Sequence, residues 1–120
     1  MPAYNFQSQF VPMILDGSKI HTIRKRRRHP TKEGDLLWLY TGMRTKKCRL
    51  IIDTNCKKIA PIVIYPDLGQ VRLEGRLLPL NEMMHFAVRD GFANYMEFFA
   101  FFRRYPQEVL EREMEVIYWR

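Results

Sequence analysis

Gly17-Ser18-Lys19-Ile20-His21-Thr22-Ile23-Arg24 runs directly into Lys25-Arg26-Arg27-Arg28-His29-Pro30. Six of the ten residues from Lys19 to Arg28 are Lys or Arg, and Thr22 is the only hydroxyl among them. Just upstream, Phe10, Met13, Ile14 and Gly17 fall at helical spacing, with Pro12 suited to a first turn and Gly17 to the left-handed residue after a helix end. This predicts a short helix over about residues 10–16, a sharp turn at Gly17, and a strand starting near His21. Lys19 then sits at the helix exit, directly before a dense cationic strip.

Outward from this stretch the chain divides into a strand-rich part and a helical part. Tyr4, Phe6 and Ser8 alternate with polar residues and read as a strand. Leu36–Tyr40, Cys48–Thr54 and Lys57–Tyr65 are further apolar, β-branched runs, the last containing Pro61, which points to an edge or a bulge. Pro66-Asp67-Leu68-Gly69 is a turn, and Val71, Leu73 and Leu77-Leu78 make another short strand broken at Gly75. Asn81 suits the N-cap of a helix ending at Asp90-Gly91. Asn94, with Glu97 three residues on, caps a second helix whose Tyr95, Phe98, Phe99 and Phe102 form a core stripe and which Pro106 closes at Tyr105. Gln107–Arg112 forms one more turn, and Met114–Trp119 is the last strand. Strands with helices near the start and near the end predict an α+β fold, a small mixed β-barrel, closed or nearly closed, in a single domain over residues 1–120.

Net charge of +7 favours a polyanionic partner, nucleic acid before membrane. The cations crowd the N-terminal third, whereas Glu108, Glu111, Glu113 and Glu115 face only Arg112 between residues 108 and 115, so one basic face is expected. No apolar run approaches the ~18 residues of a membrane span, and no signal peptide is evident, so a cytoplasmic protein is expected. Cys48 and Cys56 lack metal-ligand spacing and read as reduced thiols. No metal, no cofactor and a monomeric state are expected.

The chain resembles the ASCH domain family of the PUA-like superfamily. Phe10, Ile14 and Gly17–Arg24 are similar to the family's helix leading into Gly-x-Lys, then Thr and Arg. Glu33-Gly34-Asp35-Leu36-Leu37 is similar to the turn and strand that follow, and Arg89-Asp90-Gly91-Phe92 with Tyr95, Phe98 and Phe102 to the carboxylate-Gly-Phe motif and its helix. The resemblance implies a PUA-like barrel that binds RNA or a modified nucleoside in a basic cleft, with Lys19, Arg24, Lys25, Arg26, Arg27 and Arg28 on the nucleic acid. A bacterial branch hydrolyses 4-acetylcytidine. Its lysine, threonine and carboxylate fall on Lys19, Thr22 and Asp90, which gives the alternative of an amidohydrolase, or of an RNA-cleaving enzyme. Two departures stand out. Asp90 is one methylene shorter than that branch's glutamate, and Lys25–Arg28 replaces its acidic stretch.

Read from the residues alone, Lys19 is a phosphate contact, a structural lysine or a base, and Asp90 is the last residue of a helix. Lys19 and Thr22, at odd spacing, face opposite ways on a straight strand and converge only through a bend after Gly17. His21 and His29 read as surface residues, Trp38 and Tyr40 as core or rim. Glu74 is an alternative carboxylate.

Overall fold

In the computed structural model, which describes residues 2–120, the break at Gly17 shapes the start of the fold. A 3-10 turn at Ser8–Phe10 leads into helix α1, Val11–Asp16, with Pro12 in its first turn and Gly17 after its end at φ 87°. That left-handed conformation is one glycine adopts at little cost. The chain reverses there, Ile20 N–H donates to Arg89 O at 3.1 Å, and strand β2 begins at His21 and ends at Lys25.

Two sheets follow rather than one barrel. Strand β1, Ala3–Phe6, lies parallel to β3, Leu36–Thr41, and β3 is antiparallel to β4, Arg49–Asn55. The second sheet has the order β2-β8-β5-β6-β7, antiparallel throughout, with β5 at Lys58–Tyr65, β6 at Gln70–Leu73, β7 at Arg76–Leu77 and β8 at Met114–Tyr118. Among the described residues the strands do not close, which corrects the expected single barrel. The physical reason lies at the corner between β4 and β5. Cys56 N–H donates to Asp35 O at 2.8 Å, closing the first sheet, and Lys57 N–H donates to Tyr118 O at 2.7 Å, opening the second. Two consecutive residues therefore hand the chain from one ladder to the other.

Pro61 sits at a similar handover. Lys58–Pro61 pairs with β8 and Ile62–Tyr65 with β6, so the missing N–H falls where the strand changes neighbours. The single strand expected over 71–78 is a hairpin. Glu74 (φ 52°) and Gly75 (φ 80°) are consecutive positive-φ residues, the two-residue turn suited to the twist of flanking strands.

Among the described residues four α-helices complete the α+β architecture. Helix α2 spans Leu80–Arg89 and is preceded by Pro79, whose extended conformation starts the helix ahead of Asn81, the residue expected to cap it. Helix α3, Tyr95–Phe102, is capped as expected: Asn94 Oδ1 accepts from Glu97 N–H at 2.9 Å. It stops three residues short of Tyr105, and α4 covers Gln107–Arg112. Strand β8 is buried on both faces. Met114 and Val116 join Phe86, Phe98 and Phe102 in one core; Ile117 and, beyond the strand, Trp119 join Phe6, Phe10, Leu37 and Leu39 in the other. The β2–β8 pair thus stands between the two cores, and the site lies along it.

Candidate functional site

Lys19 leaves the Gly17 turn pointing inward and is only 3% exposed. Its ammonium lies 5.0 Å from the Phe10 ring centroid, 5.6 Å from Phe6 and 6.0 Å from Trp119. Such faces attract a cation, but they do not replace its water. The polar partner is Asp90, the residue that ends α2. Lys19 Nζ donates to the Asp90 carbonyl and lies 3.3 Å from Asp90 Oδ1. Burial presses the pKa of Lys19 below its ordinary value; the Asp90 carboxylate opposes that fall and Arg24 adds to it.

Gly91 makes the approach feasible. Its φ is +102°, and a Cβ there would come 2.7 Å from Phe10 Cδ1 and 3.2 Å from Lys19 Cδ. Both its conformation and the tight space exclude a larger residue at the carboxylate's neighbour.

The Asp90 carboxylate has a second partner. His21 Nδ1 lies 3.0 Å from Asp90 Oδ1, and an ionised carboxylate only accepts, so the proton of this pair sits on Nδ1. His21 is 1% exposed, stacked on Phe86 at 4.6 Å and edge-on to Tyr118 at 5.0 Å. This corrects its expected place on the surface.

Thr22 faces the same cavity as Lys19. Arg24 Nε donates to Thr22 Oγ1 at 3.0 Å, and Arg24 also donates to Asn5 O at 2.6 Å while lying over the Phe6 ring at 4.8 Å. Lys19, Thr22, Arg24 and Asp90 together line a cavity of about 210 Å³, walled by the rings of Phe10, Phe92, Phe101 and Tyr105 and edged by Asn5 and Gln7. The bend after Gly17 therefore brings together Lys19 and Thr22, the two residues whose spacing opposed it. Among the described residues no hydrogen bond joins Lys19 to Thr22, so a proton would pass between them through a ligand or water. Chemically the cavity offers a buried amine with a lowered pKa, a hydroxyl beside a guanidinium, a carboxylate and flat apolar walls. Among those residues, no group of three or more His, Cys, Asp or Glu is placed to hold a metal ion.

The rest of the basic run is not one free strip. Lys25 pairs with Glu113 at 3.5 Å, Arg26 donates to Arg112 O at 2.9 Å, and Arg27 donates to Ala3 O while lying 4.2 Å over the Tyr4 ring. Arg28 is exposed. Glu74 is also away from the cavity, paired with Lys58 at 2.6 Å.

His21, which was read as a surface residue, and Tyr105 are site residues that sequence reasoning missed. For His21 the alternation of a strand was the available signal: it faces the opposite side from Thr22 and reaches Asp90 from behind. There it borders a second cavity of about 380 Å³, lined also by His85, Arg76, Arg89 and Tyr118.

Compared with protein-family models, with characterised proteins and with solved structures, the chain matches none.

Proposed function

We propose that the chain is an ASCH-type domain of the PUA-like class that takes one nucleobase, of a modified nucleoside or of an RNA strand, into the Lys19–Asp90 cavity. One observation carries this: Lys19, Thr22, Arg24 and Asp90 converge on a single cavity of about 210 Å³ with aromatic walls. A flat base stacks on rings and reads its edge through donors and acceptors, and the cavity offers both. Lys19 and Arg24 donate to ring or carbonyl acceptors, Asp90 accepts from an exocyclic amine, and Phe92 and Tyr105 cover the face. Among the described residues no helix is long and apolar enough to cross a membrane. A cytoplasmic monomer is part of the proposal.

Hydrolysis of an acylated nucleoside is the second reading, favoured by the state of two groups. Burial makes the neutral form of Lys19 easier to reach, and Thr22 Oγ1 already accepts from Arg24, so its own proton is free to leave. Thr22 Oγ1 would attack the amide carbon as Lys19 takes the proton, with the oxyanion facing Arg24. Lys19 would then return the proton to the departing amine as the C–N bond breaks, and water would release the acyl group from Thr22.

Calorimetric titration with cytidine and 4-acetylcytidine, together with cytidine release from the latter, tests both. Wild type should bind, and Lys19→Ala should bind at least tenfold more weakly. Under the second reading Lys19→Ala and Thr22→Ala each lower turnover by about a hundredfold or more. Lys19→Arg does not restore it, since arginine keeps its proton. Binding without turnover leaves the first reading alone; no affinity for any nucleoside or RNA removes both.

A further inference from the structure

Exposed cations without an ion pair also lie outside the densest run, on a loop tied to the cavity's edge. The β3–β4 loop, Gly42–Cys48, carries Arg44, Lys46 and Lys47, and β4 opens with Arg49; all four are exposed. Among the described residues none of them has an ion pair. The loop is fastened to the cavity's edge: Met43 N–H donates to Asn5 Oδ1 at 2.9 Å, and Thr41 Oγ1 donates to Phe6 O at 2.8 Å. Asn5 and Phe6 line the cavity. It is also ordered by its own bonds, with Thr45 Oγ1 donating to Gly42 O at 2.6 Å and accepting from Lys47 N–H at 3.1 Å. Beside the opposite wall, the guanidinium of the exposed Arg104 lies 4.1 Å over the ring of Phe101, another residue of the lining.

We infer that the β3–β4 loop, not Lys25–Arg28, is the phosphate track of a single-stranded nucleic acid that places one base in the Lys19–Asp90 cavity. This rests on the base-binding reading above. Unpaired cations on an ordered loop lose little on meeting phosphates, and each contact releases counterions. Lys25, Arg26 and Arg27 would first have to leave Glu113 and the backbone carbonyls they already hold. A single strand fits better than a duplex, because a stacked, paired base cannot enter a closed-walled cavity.

The test compares two variants of equal net charge, Lys46→Gln/Lys47→Gln and Lys25→Gln/Arg28→Gln, each titrated with a short single-stranded oligocytidylate over a range of salt. The loop pair should weaken binding and flatten the slope of log affinity against log salt by roughly 1.4, two contacts at ~0.7 each. The run pair should leave the slope close to wild type. Equal losses in both variants would mean that net charge alone acts, and would overturn the track, as would an unchanged slope in the loop pair. Equal affinity for poly-glutamate, or for a paired duplex, would overturn it too. Free cytidine separates this proposal from the reading beneath it. Both variants should bind cytidine as wild type does. If cytidine fails to bind anywhere while the loop pair still flattens the oligonucleotide slope, the track stands and the base cavity falls.

Discussion

Lys19 precedes β2 and Lys25 ends it, and each meets a carboxylate, yet the two pairs are different objects. Lys25–Glu113 spans 3.5 Å with both side chains largely in water. Lys19–Asp90 spans 3.3 Å with both nearly sealed off. The separations are almost equal; the surroundings are not. Water screens the first pair and would solvate either partner left alone. The second is enclosed by rings, Asp90's own carbonyl, His21 and the cavity it shares with Thr22 and Arg24, with little water to solvate either charge left alone. Burial, rather than proximity, makes a lysine–carboxylate contact a site.

Removing one partner should expose the contrast most strongly. Asp90→Ala leaves the Lys19 cation among Phe6, Phe10 and Trp119, and at neutral pH should cost about 3–5 kcal/mol of stability in urea unfolding. The loss should shrink as pH rises and Lys19 gives up its proton. A loss no greater than that of Lys25→Ala would erase the distinction between the pairs.

A smaller effect concerns pH alone. Lys19 has a folded pKa below its ordinary 10.5, so the unfolded chain binds the proton more readily. Its contribution is therefore fully present above 10.5 and is lost as pH falls toward the folded value; stability should climb with pH across that window. Tyr118 acts in the opposite sense, because burial pushes its pKa up from 10.0 to about 12 and its contribution is lost as pH rises between those values. The climb is thus best followed below pH 10. Thermal melts of Lys19→Met should lack it, and a climb that persists in the variant would assign it to another group.

The smallest effect belongs to the exposed pair. Lys25→Ala should cost no more than about 1 kcal/mol, fading further with added salt, as read by the same unfolding curves. A larger, salt-resistant loss would mean that Lys25 does more than meet Glu113.

Local chemistry was readable in the sequence and pairing was not. Gly17 after α1 and Asn94 before α3 behave as their residue types require, because a left-handed glycine and a capping amide act within a few residues. Strand positions were mostly legible from apolar runs. Partners were not: alternation indicates that β1 is a strand but not that it lies parallel to β3, and that choice separates two sheets from one barrel. The same limit governs the site. The spacing of Lys19 and Thr22 argued against a meeting, and the bend that reverses that outcome is held both locally, by Lys19 N–H to Met13 O, and by a nonlocal bond, Ile20 N–H to Arg89 O. His21 looked like a surface residue because its partner, Asp90, lies on a helix far along the chain. The run Lys25–Arg28 showed charge density, but the carbonyls and carboxylate that engage it are scattered from Ala3 to Glu113.

The register of β2 has a kinetic consequence. Among the described residues its only sheet neighbour is β8, from His21↔Tyr118 to Lys25↔Met114, so the strand carrying Thr22 and Arg24 waits for a segment made roughly ninety residues later. Joining such distant segments costs loop-closure entropy before any contact repays it. During synthesis α1, β1, β3 and β4 can associate early, while β2 remains an unpaired edge. The cavity is therefore among the last features to mature, and a ribosome-bound chain lacking β8 would carry every residue that lines the cavity without having one.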